Sequence, residues 1–106
     1  MTNQAALVMT TIDSRSKAEH LSELMVSDGL CACAQISDKI SSIFIWKGKI
    51  QNEQEYLISF KTLSGKVDML MEAIRSSHPY ETPEIIALSI DRVDEDYLQW
   101  MESVLD

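Results

Sequence analysis

The residues best suited to chemistry lie together in one seven-residue stretch, His78 to Glu84. It holds one of the two histidines, both prolines, one of three tyrosines and two carboxylates. A neutral imidazole is the commonest transition-metal ligand, and Glu81 or Glu84 could join it. Because proline fixes its own φ and pushes the preceding residue out of the helical region, the stretch predicts a stiff corner after a helix. A rigid structural corner and a binding site are both open interpretations.

Three further residues carry groups that can react or bind. Lys61 lies near the end of a predicted strand, where it could hold an anion or be a solvated edge charge. Cys31 and Cys33 are two apart on the preceding predicted strand, hence on one face and separated by roughly 6.5–7 Å. That separation is at the limit of a disulfide, so we predict two free, buried thiols, with a soft ligand pair as the alternative.

The remaining candidates are large aromatic side chains of the kind enriched at protein interfaces. They are Phe44, Trp46, Tyr97 and Trp100. Trp100 could instead cover the core from the last helix. The chain has no glycine-rich nucleotide motif, no GxSxG sequence and no Ser/His/Asp or Cys/His arrangement that predicts a nucleophile. We therefore expect a protein that is not an enzyme.

Composition limits the classes of partner. The chain has 106 residues, a net charge of −8 and 45% hydrophobic residues, which is typical of one globular domain spanning 1–106. An acidic surface repels phosphate backbones, so nucleic-acid binding is not expected. No apolar run approaches the roughly 20 residues needed to span a bilayer, so no membrane partner is expected. The first four residues contain no basic leader region, which predicts a cytoplasmic protein.

The hydrophobic patterns predict four strands and three helices. The first half has a strand over 5–12, a helix opened by a capping box of Ser16 and Glu19 and stopped at Gly29, and a long strand over 30–46 bent near Asp38. A turn at 47–49 leads to a return strand over 50–62 and a helix from Val67 to about Ser77. The chain ends with a strand over 85–90, which should be buried on both faces or central in the sheet, and a helix capped by Asp94. The order βαββαβ plus one helix predicts an α+β fold, a ferredoxin-like sandwich with a long β-hairpin.

The two hairpin strands are far longer than the usual five or six residues. Their distal part carries Ile43, Phe44, Ile45, Trp46 and Ile50, which cannot all lie over one small core. Exposed apolar strands aggregate unless they are covered. Pairing with identical chains is the simplest cover, so we predict a closed homo-oligomer.

Several segments together resemble the CutA family of divalent-cation tolerance proteins. They are Cys31–Ala34, Ser42–Ile50, Lys61–Thr62, His78–Leu88 and Asp96–Trp100. The Trp-x-Gly-Lys-Ile hairpin and the His-Pro-Tyr-x-x-Pro-Glu corner are specific in combination. The resemblance implies a tightly packed homotrimer whose hairpins are swapped onto neighbouring sheets. It also implies a role in tolerance to copper and other divalent cations.

The resemblance also implies a ligand site at clefts between chains. Some bacterial relatives carry a cysteine where this chain has Thr10, and two consecutive histidines where it has Ser77 and His78. Of that set only His78 is present here as a candidate ligand for Cu²⁺ or another divalent metal. The candidate cleft residues are Lys61, Tyr80, Glu81, Glu84 and Trp46, with the glutamates as oxygen donors.

Two other functions are compatible with the same sequence. A PII-like signalling trimer would share the fold and bind a small molecule between chains, although only three glycines are present to cradle phosphates. A structural scaffold would use the corner and the aromatic residues for packing alone, without a metal site.

Overall fold

The computed structural model describes residues 4–105, which form one sheet and three helices. The elements are β1 (Ala5–Ile12), α1 (Arg15–Ser27), β2 (Cys33–Trp46), β3 (Lys49–Leu63), α2 (Val67–Ser77), β4 (Ile85–Ser89) and α3 (Glu95–Leu105), with a 3-10 turn over Ser64–Lys66. The predicted absence of a leader depends on residues 1–3, which lie outside the described residues. No helix within 4–105 is both long and apolar enough to cross a membrane.

The strands lie in the order β2-β3-β1-β4, and every neighbouring pair is antiparallel. This arrangement confirms the predicted ferredoxin-like fold. Alternate side chains of β1 and β3 are apolar and point to one face of the sheet. The helices α1 and α2 pack on that face and bury them. The resulting core contains Val8, Ile12, Ile58, Phe60, Leu21, Met25, Leu70 and Ile74.

The opposite face of the sheet is covered at one end only. There Met101 and Leu105 of α3 pack on Ala5, Ala32 and Leu63. The register places a further row of apolar residues on the same face, where no helix covers them. We call this row the open sheet face: Leu7, Met9, Leu57, Ile86 and Leu88. Single domains seldom leave so continuous an apolar surface in water.

The prediction that the last strand is buried on both faces or central in the sheet was wrong for the described chain. β4 is an edge strand that pairs only with β1 among the described residues, and Ile86 and Leu88 are 42% and 51% exposed. A continuous apolar run reports how much surface must leave water, and it does not report the order of strands in a sheet.

The long hairpin is confirmed. β2 has 14 residues and β3 has 15, and they are joined by Lys47 and Gly48 with φ values of 51° and 80°. Two central residues with positive φ are the mark of a type I′ turn, whose twist matches that of the strands. The predicted irregularity near Asp38 is a register shift between Ile36 and Lys39.

Most of this hairpin extends beyond the sheet. β1 ends at Ile12 opposite Tyr56, so the described residues give 40–55 no strand partner except each other. We call residues 40–55 the overhang. It makes the chain 45 Å long with a radius of gyration of 14.5 Å, against the roughly 13 Å expected for a compact domain of this length.

The prediction of the first residue of α1 was wrong. The N-cap of α1 is Ser14, whose Oγ accepts a hydrogen bond from the Lys17 N–H at 3.3 Å, so Ser16 lies inside the first turn and forms no capping box with Glu19. A serine two residues earlier caps equally well, and spacing alone does not choose between them.

The prediction that Cys31 and Cys33 lie on one face of the strand was wrong. β2 begins at Cys33, so the alternation does not extend back to Cys31. Cys31 lies in the core under α1 and α2, whereas Cys33 is paired with Lys61 and contacts Tyr97 on the opposite face. Both are free thiols, as predicted, but only Cys31 is buried and Cys33 is partly exposed.

Phe60 on β3 is fully buried in the core, so its truncation should lower the stability of the protein strongly. We expect Phe60→Ala to lower the free energy of unfolding by about 3–5 kcal/mol, because it removes apolar burial and leaves a cavity. Urea denaturation at one fixed chain concentration would measure the loss.

The matched control is Val26→Ala on α1, where the side chain is 42% exposed. That change should stay within about 0.5 kcal/mol of wild type. Equal losses in both variants would contradict the position of the core.

Candidate functional site

The corner between α2 and β4 begins where the sequence predicts that it should. His78 is the C-cap of α2, with φ −81° and ψ 135°, so the chain turns from helical to extended directly before Pro79. Residues 78–84 then pass the end of β1 and lead into β4, whose first residue Ile85 pairs with Thr10. The corner therefore lies beside the point where the overhang leaves the sheet.

Both ring nitrogens of His78 make hydrogen bonds within the chain. Nδ1 accepts the Tyr80 N–H at 3.2 Å, and Nε2 lies 2.8 Å from the carbonyl oxygen of Thr11. Since Nδ1 accepts, Nε2 carries the proton and donates to that carbonyl. Only 9% of His78 is exposed. A metal could use Nδ1 only if the Tyr80 N–H were released.

Tyr80 connects the corner to the overhang. Its hydroxyl donates to Oε2 of Glu55 at 2.8 Å, and its ring lies edge-on to His78 with centroids 4.6 Å apart. Burial, reinforced by the bond to the Glu55 carboxylate, raises the pKa of the Tyr80 phenol above its usual value. The phenol therefore stays protonated and continues to donate.

Thr10 attaches the corner to β1. Its side chain is fully buried, and Oγ1 donates to the carbonyl oxygen of Glu84 at 2.6 Å. This bond attaches the far end of the corner to β1. Together with the bonds of His78 and Tyr80, it holds the corner at both ends.

A cavity of about 770 Å³ lies between the overhang and the corner. We call it the acidic cleft. It is lined by Thr11, Ser42, Ile43, Phe44, Trp46, Gln51, Glu53, Glu55, Tyr80, Glu81, Thr82 and Glu84. This set contains four carboxylates and three aromatic rings, and it includes no lysine, arginine or histidine. Its size falls within the range of small-molecule sites.

The acidic cleft unites four of the predicted site residues, Trp46, Tyr80, Glu81 and Glu84, and it also includes Phe44. His78 does not line it and lies behind Tyr80. Its role as a metal ligand stays a prediction.

Lys61 is not brought to the acidic cleft within one chain. It is six residues from Glu55 along β3, or roughly 20 Å at about 3.3 Å per residue. Its Nζ lies 5.7 Å from the ring centroid of Tyr97, which in turn packs against Trp100 at 5.4 Å. Lys61 therefore lies beside Tyr97 and Trp100 of α3, as a group separate from the acidic cleft.

Sequence reasoning missed Glu53 and Glu55 as cleft residues. A detectable signal was present, because a two-residue turn at Lys47 and Gly48 fixes the pairing of Glu53 with Ser42 and places both on one face. The contact of Glu55 with Tyr80 joins residues 25 apart in the chain. No local pattern reports such a contact.

The described residues of one chain do not form a complete metal site. Within residues 4–105, no three His, Cys, Asp or Glu side chains converge closely enough to hold an ion. The thiol of Cys31 is also a poor donor, because burial, with Cys33 nearby, raises its pKa to about 12 and so disfavours the thiolate.

The sequence profile of the CutA1 divalent ion tolerance proteins matches residues 6–104. The chain belongs to the CutA1 family. It is 32% identical to the divalent-cation tolerance protein CutA of Citrobacter koseri over 102 residues, covering 96% of this chain and 89% of the relative. It is 38% identical to the protein CutA of Mus musculus over 96 residues, covering 91% of this chain but only 54% of that longer protein.

Solved structures of the family have the same fold. CutA1 from Ehrlichia chaffeensis is 28% identical with a TM-score of 0.94, covering 100% of this chain and 99% of the other. CutA from Synechococcus elongatus is 34% identical with a TM-score of 0.94, covering 99% of this chain and 93% of the other. Membership in a family of divalent-cation tolerance proteins confirms the resemblance and the general role.

Tyr80→Phe tests the bond that joins the corner to the overhang. We expect the free energy of unfolding to fall by about 1–3 kcal/mol near pH 7, because the buried Glu55 carboxylate loses its donor. Denaturation of both proteins across pH 7–11.5 would measure the loss. Tyr56→Phe is the matched control, since no hydrogen bond to Glu55 is lost.

The raised pKa of Tyr80 fixes how the stability difference between wild type and Tyr80→Phe should change with pH. A phenol whose pKa is higher in the folded chain than in the unfolded one stabilises the fold below the unfolded value of about 10. That contribution is lost as the pH rises further, so the difference between wild type and Tyr80→Phe should narrow above pH 10. A difference that widens there would contradict the raised pKa.

Proposed function

We propose that this member of the CutA1 family acts in divalent-cation tolerance as a closed homotrimer with cation-binding clefts between its chains. Each cleft would bind Cu²⁺, another divalent metal or a small ligand. The observation that carries the proposal is the amount of apolar surface that one chain leaves in water. The activity of longer relatives is not part of the proposal, which includes no catalytic step and keeps the predicted cytoplasmic location.

The open sheet face supports self-association first. Its five apolar residues are contributed by three strands and form a continuous surface beside α3. Fully burying one side chain of this kind stabilises an assembly by about 1.5–3 kcal/mol. A second copy of the same chain carries the same surface, which is what a closed symmetric assembly requires.

The overhang supports self-association independently. Ile43, Ile45 and Ile50 are 69%, 73% and 77% exposed, and Phe44 and Trp46 are about 40% exposed. Among residues 4–105, the edge of β3 over residues 49–55 also has backbone groups with no strand partner on the side facing away from β2. An apolar ribbon with a free edge is a template for pairing with another chain.

The acidic cleft would then lie at a boundary between chains, because the overhang forms one of its walls. Four carboxylates in a concave site raise the local concentration of cations. A neighbouring chain could add the ligand that one chain lacks, including Lys61 as a partner for a carboxylate.

A structural scaffold is the second candidate function, and one observation favours it. The corner satisfies its own polar groups through Thr10, Thr11, Glu55, His78 and Tyr80, as a purely structural element would. A PII-like nucleotide sensor is disfavoured, because four carboxylates without a basic side chain in the cleft lining repel phosphates.

The assembly is tested by replacing Leu88 on the open sheet face. We expect wild type to have three times the chain mass of 12.0 kDa in light scattering at micromolar concentration. Leu88→Asp should release single chains, because it puts a charge into the apolar contact.

The matched control is Met69→Asp on α2, where the side chain is 55% exposed and lies away from the open sheet face. That variant should keep the wild-type mass. Circular dichroism checks that both variants fold, and a folded wild-type monomer would refute the trimer.

Calorimetry with Cu²⁺ tests the predicted ligand. If His78 coordinates through Nδ1, His78→Ala should weaken binding by roughly tenfold or more, since one ligand is lost. Because His78→Ala also removes two structural bonds, Thr10→Val serves as the control that loosens the corner but keeps the imidazole. Equal binding by wild type and His78→Ala would reject the ligand role and favour the scaffold.

A further inference from the structure

We propose that the acidic cleft binds a small organic cation, an aliphatic amine with two or more ammonium groups, in preference to a bare metal ion. This proposal rests on the proposed function, in which the cleft is a cation site that stays open at a boundary between chains. It names the chemical class of the occupant. Neither the family's role nor the comparisons specify such a ligand.

The carboxylates of the cleft are spread out. Glu53 and Glu55 are two apart on one face of β3, hence roughly 6.5–7 Å apart along the strand, and Glu81 and Glu84 lie across the cavity on the corner. Within residues 4–105 they do not converge as ligands of one ion. A metal needs several donors at about 2.0–2.6 Å from one point. A flexible polyamine places one charge beside each carboxylate instead.

The wall opposite the corner is apolar and aromatic. Ile43, Phe44 and Trp46 contribute it from the overhang. Methylene groups between two ammonium groups gain by leaving water against such a wall, whereas a hydrated metal ion gains nothing from it. An ammonium group is also attracted to the face of an aromatic ring. The chain itself shows this contact, because the Lys47 Nζ lies 5.9 Å from the ring centroid of Trp46.

Within residues 4–105 of one chain, the cleft carboxylates form no ion pair with a Lys, Arg or His side chain. The ion pairs within the described part of the chain join Arg15 to Glu19 and Lys17 to Asp13, all near the start of α1. Glu55 is only 6% exposed, and Tyr80 donates to its Oε2. Its Oε1 is the acceptor that a bound ammonium group can use. Buried charges in proteins are normally paired, and a ligand cation supplies the missing partner.

Calorimetry with spermidine on the full chain tests the proposal, in phosphate buffer because amine buffers would compete. We expect saturable binding at the cleft of the assembled protein. 1,6-Hexanediol, an uncharged chain of methylene groups, should not bind. Chain mass is measured by light scattering in the same buffer, so that ligand binding and assembly are scored separately.

The variant that decides the site is Glu81→Gln with Glu84→Gln, because both side chains are exposed on the corner and their loss should not unfold it. Spermidine binding should weaken by roughly tenfold or more, since one charge-assisted hydrogen bond accounts for about that factor. Glu23→Gln with Glu72→Gln is the control, because it removes the same charge from exposed positions of α1 and α2. It should bind as wild type does.

A second variant, Trp46→Leu, tests the aromatic wall. It keeps an apolar side chain but removes the ring, and it should weaken spermidine by roughly threefold or more. The mass of this variant is checked, because Trp46 also belongs to the overhang.

The outcomes separate the two proposals. A trimer that does not bind spermidine refutes the organic cation and leaves the trimer standing, and a monomer that binds it through Glu81 and Glu84 does the reverse. Equal weakening in the control double variant would show that spermidine binds through the net negative charge of the protein, and it would overturn the proposed site. Displacement of spermidine by an equimolar divalent metal would overturn the assigned ligand class.

Discussion

The structure depends on a mismatch in strand length. β1 has 8 residues and β3 has 15, so β3 continues past the end of its neighbour with a partner on one side only. In the part of the chain that the structure describes, the backbone groups on the other side have no strand partner, and the apolar side chains of the overhang are left exposed. The open sheet face adds to this deficit. The overhang also creates the cleft, because a sheet of equal strands would leave no gap beside the corner.

The corner converts this mismatch into a defined cavity. Thr10, His78 and Tyr80 each use a side-chain hydrogen bond to attach the corner to β1 or to the base of the overhang. The two prolines remove backbone freedom that these bonds would otherwise have to restrict. The cleft is therefore largely formed before a ligand arrives, which lowers the ordering cost of binding. The same bonds explain why the imidazole of His78 is less available than its presence in the sequence suggests.

The sequence predicted the features that are encoded locally. Proline after His78 predicted the end of α2, the Lys47–Gly48 turn predicted the hairpin, and periodicity predicted the order of elements. It did not predict the edge position of β4 or the opposite faces of the cysteines, because both depend on strand order and on where β2 begins. Trp46, Tyr80, Glu81 and Glu84 line one cleft, whereas Lys61 lies elsewhere on β3 within one chain, and the roles predicted for these five residues stay predictions. A family motif does not report distance within one chain. Glu55 was missed because its partner lies 25 residues away.

The hairpin also has a consequence for the order of folding. β2 and β3 are joined by a two-residue turn, so their pairing closes a very short loop, whereas pairing Ala5 with Leu63 must close a loop of about half the chain. Short loops close fastest, and long-range pairing is the slow step of sheet formation. During synthesis the ribbon can form before β4 and α3 have been made. A newly made chain would therefore expose its aggregation-prone overhang early. The yield of folded protein should then depend on how quickly the chain meets other copies.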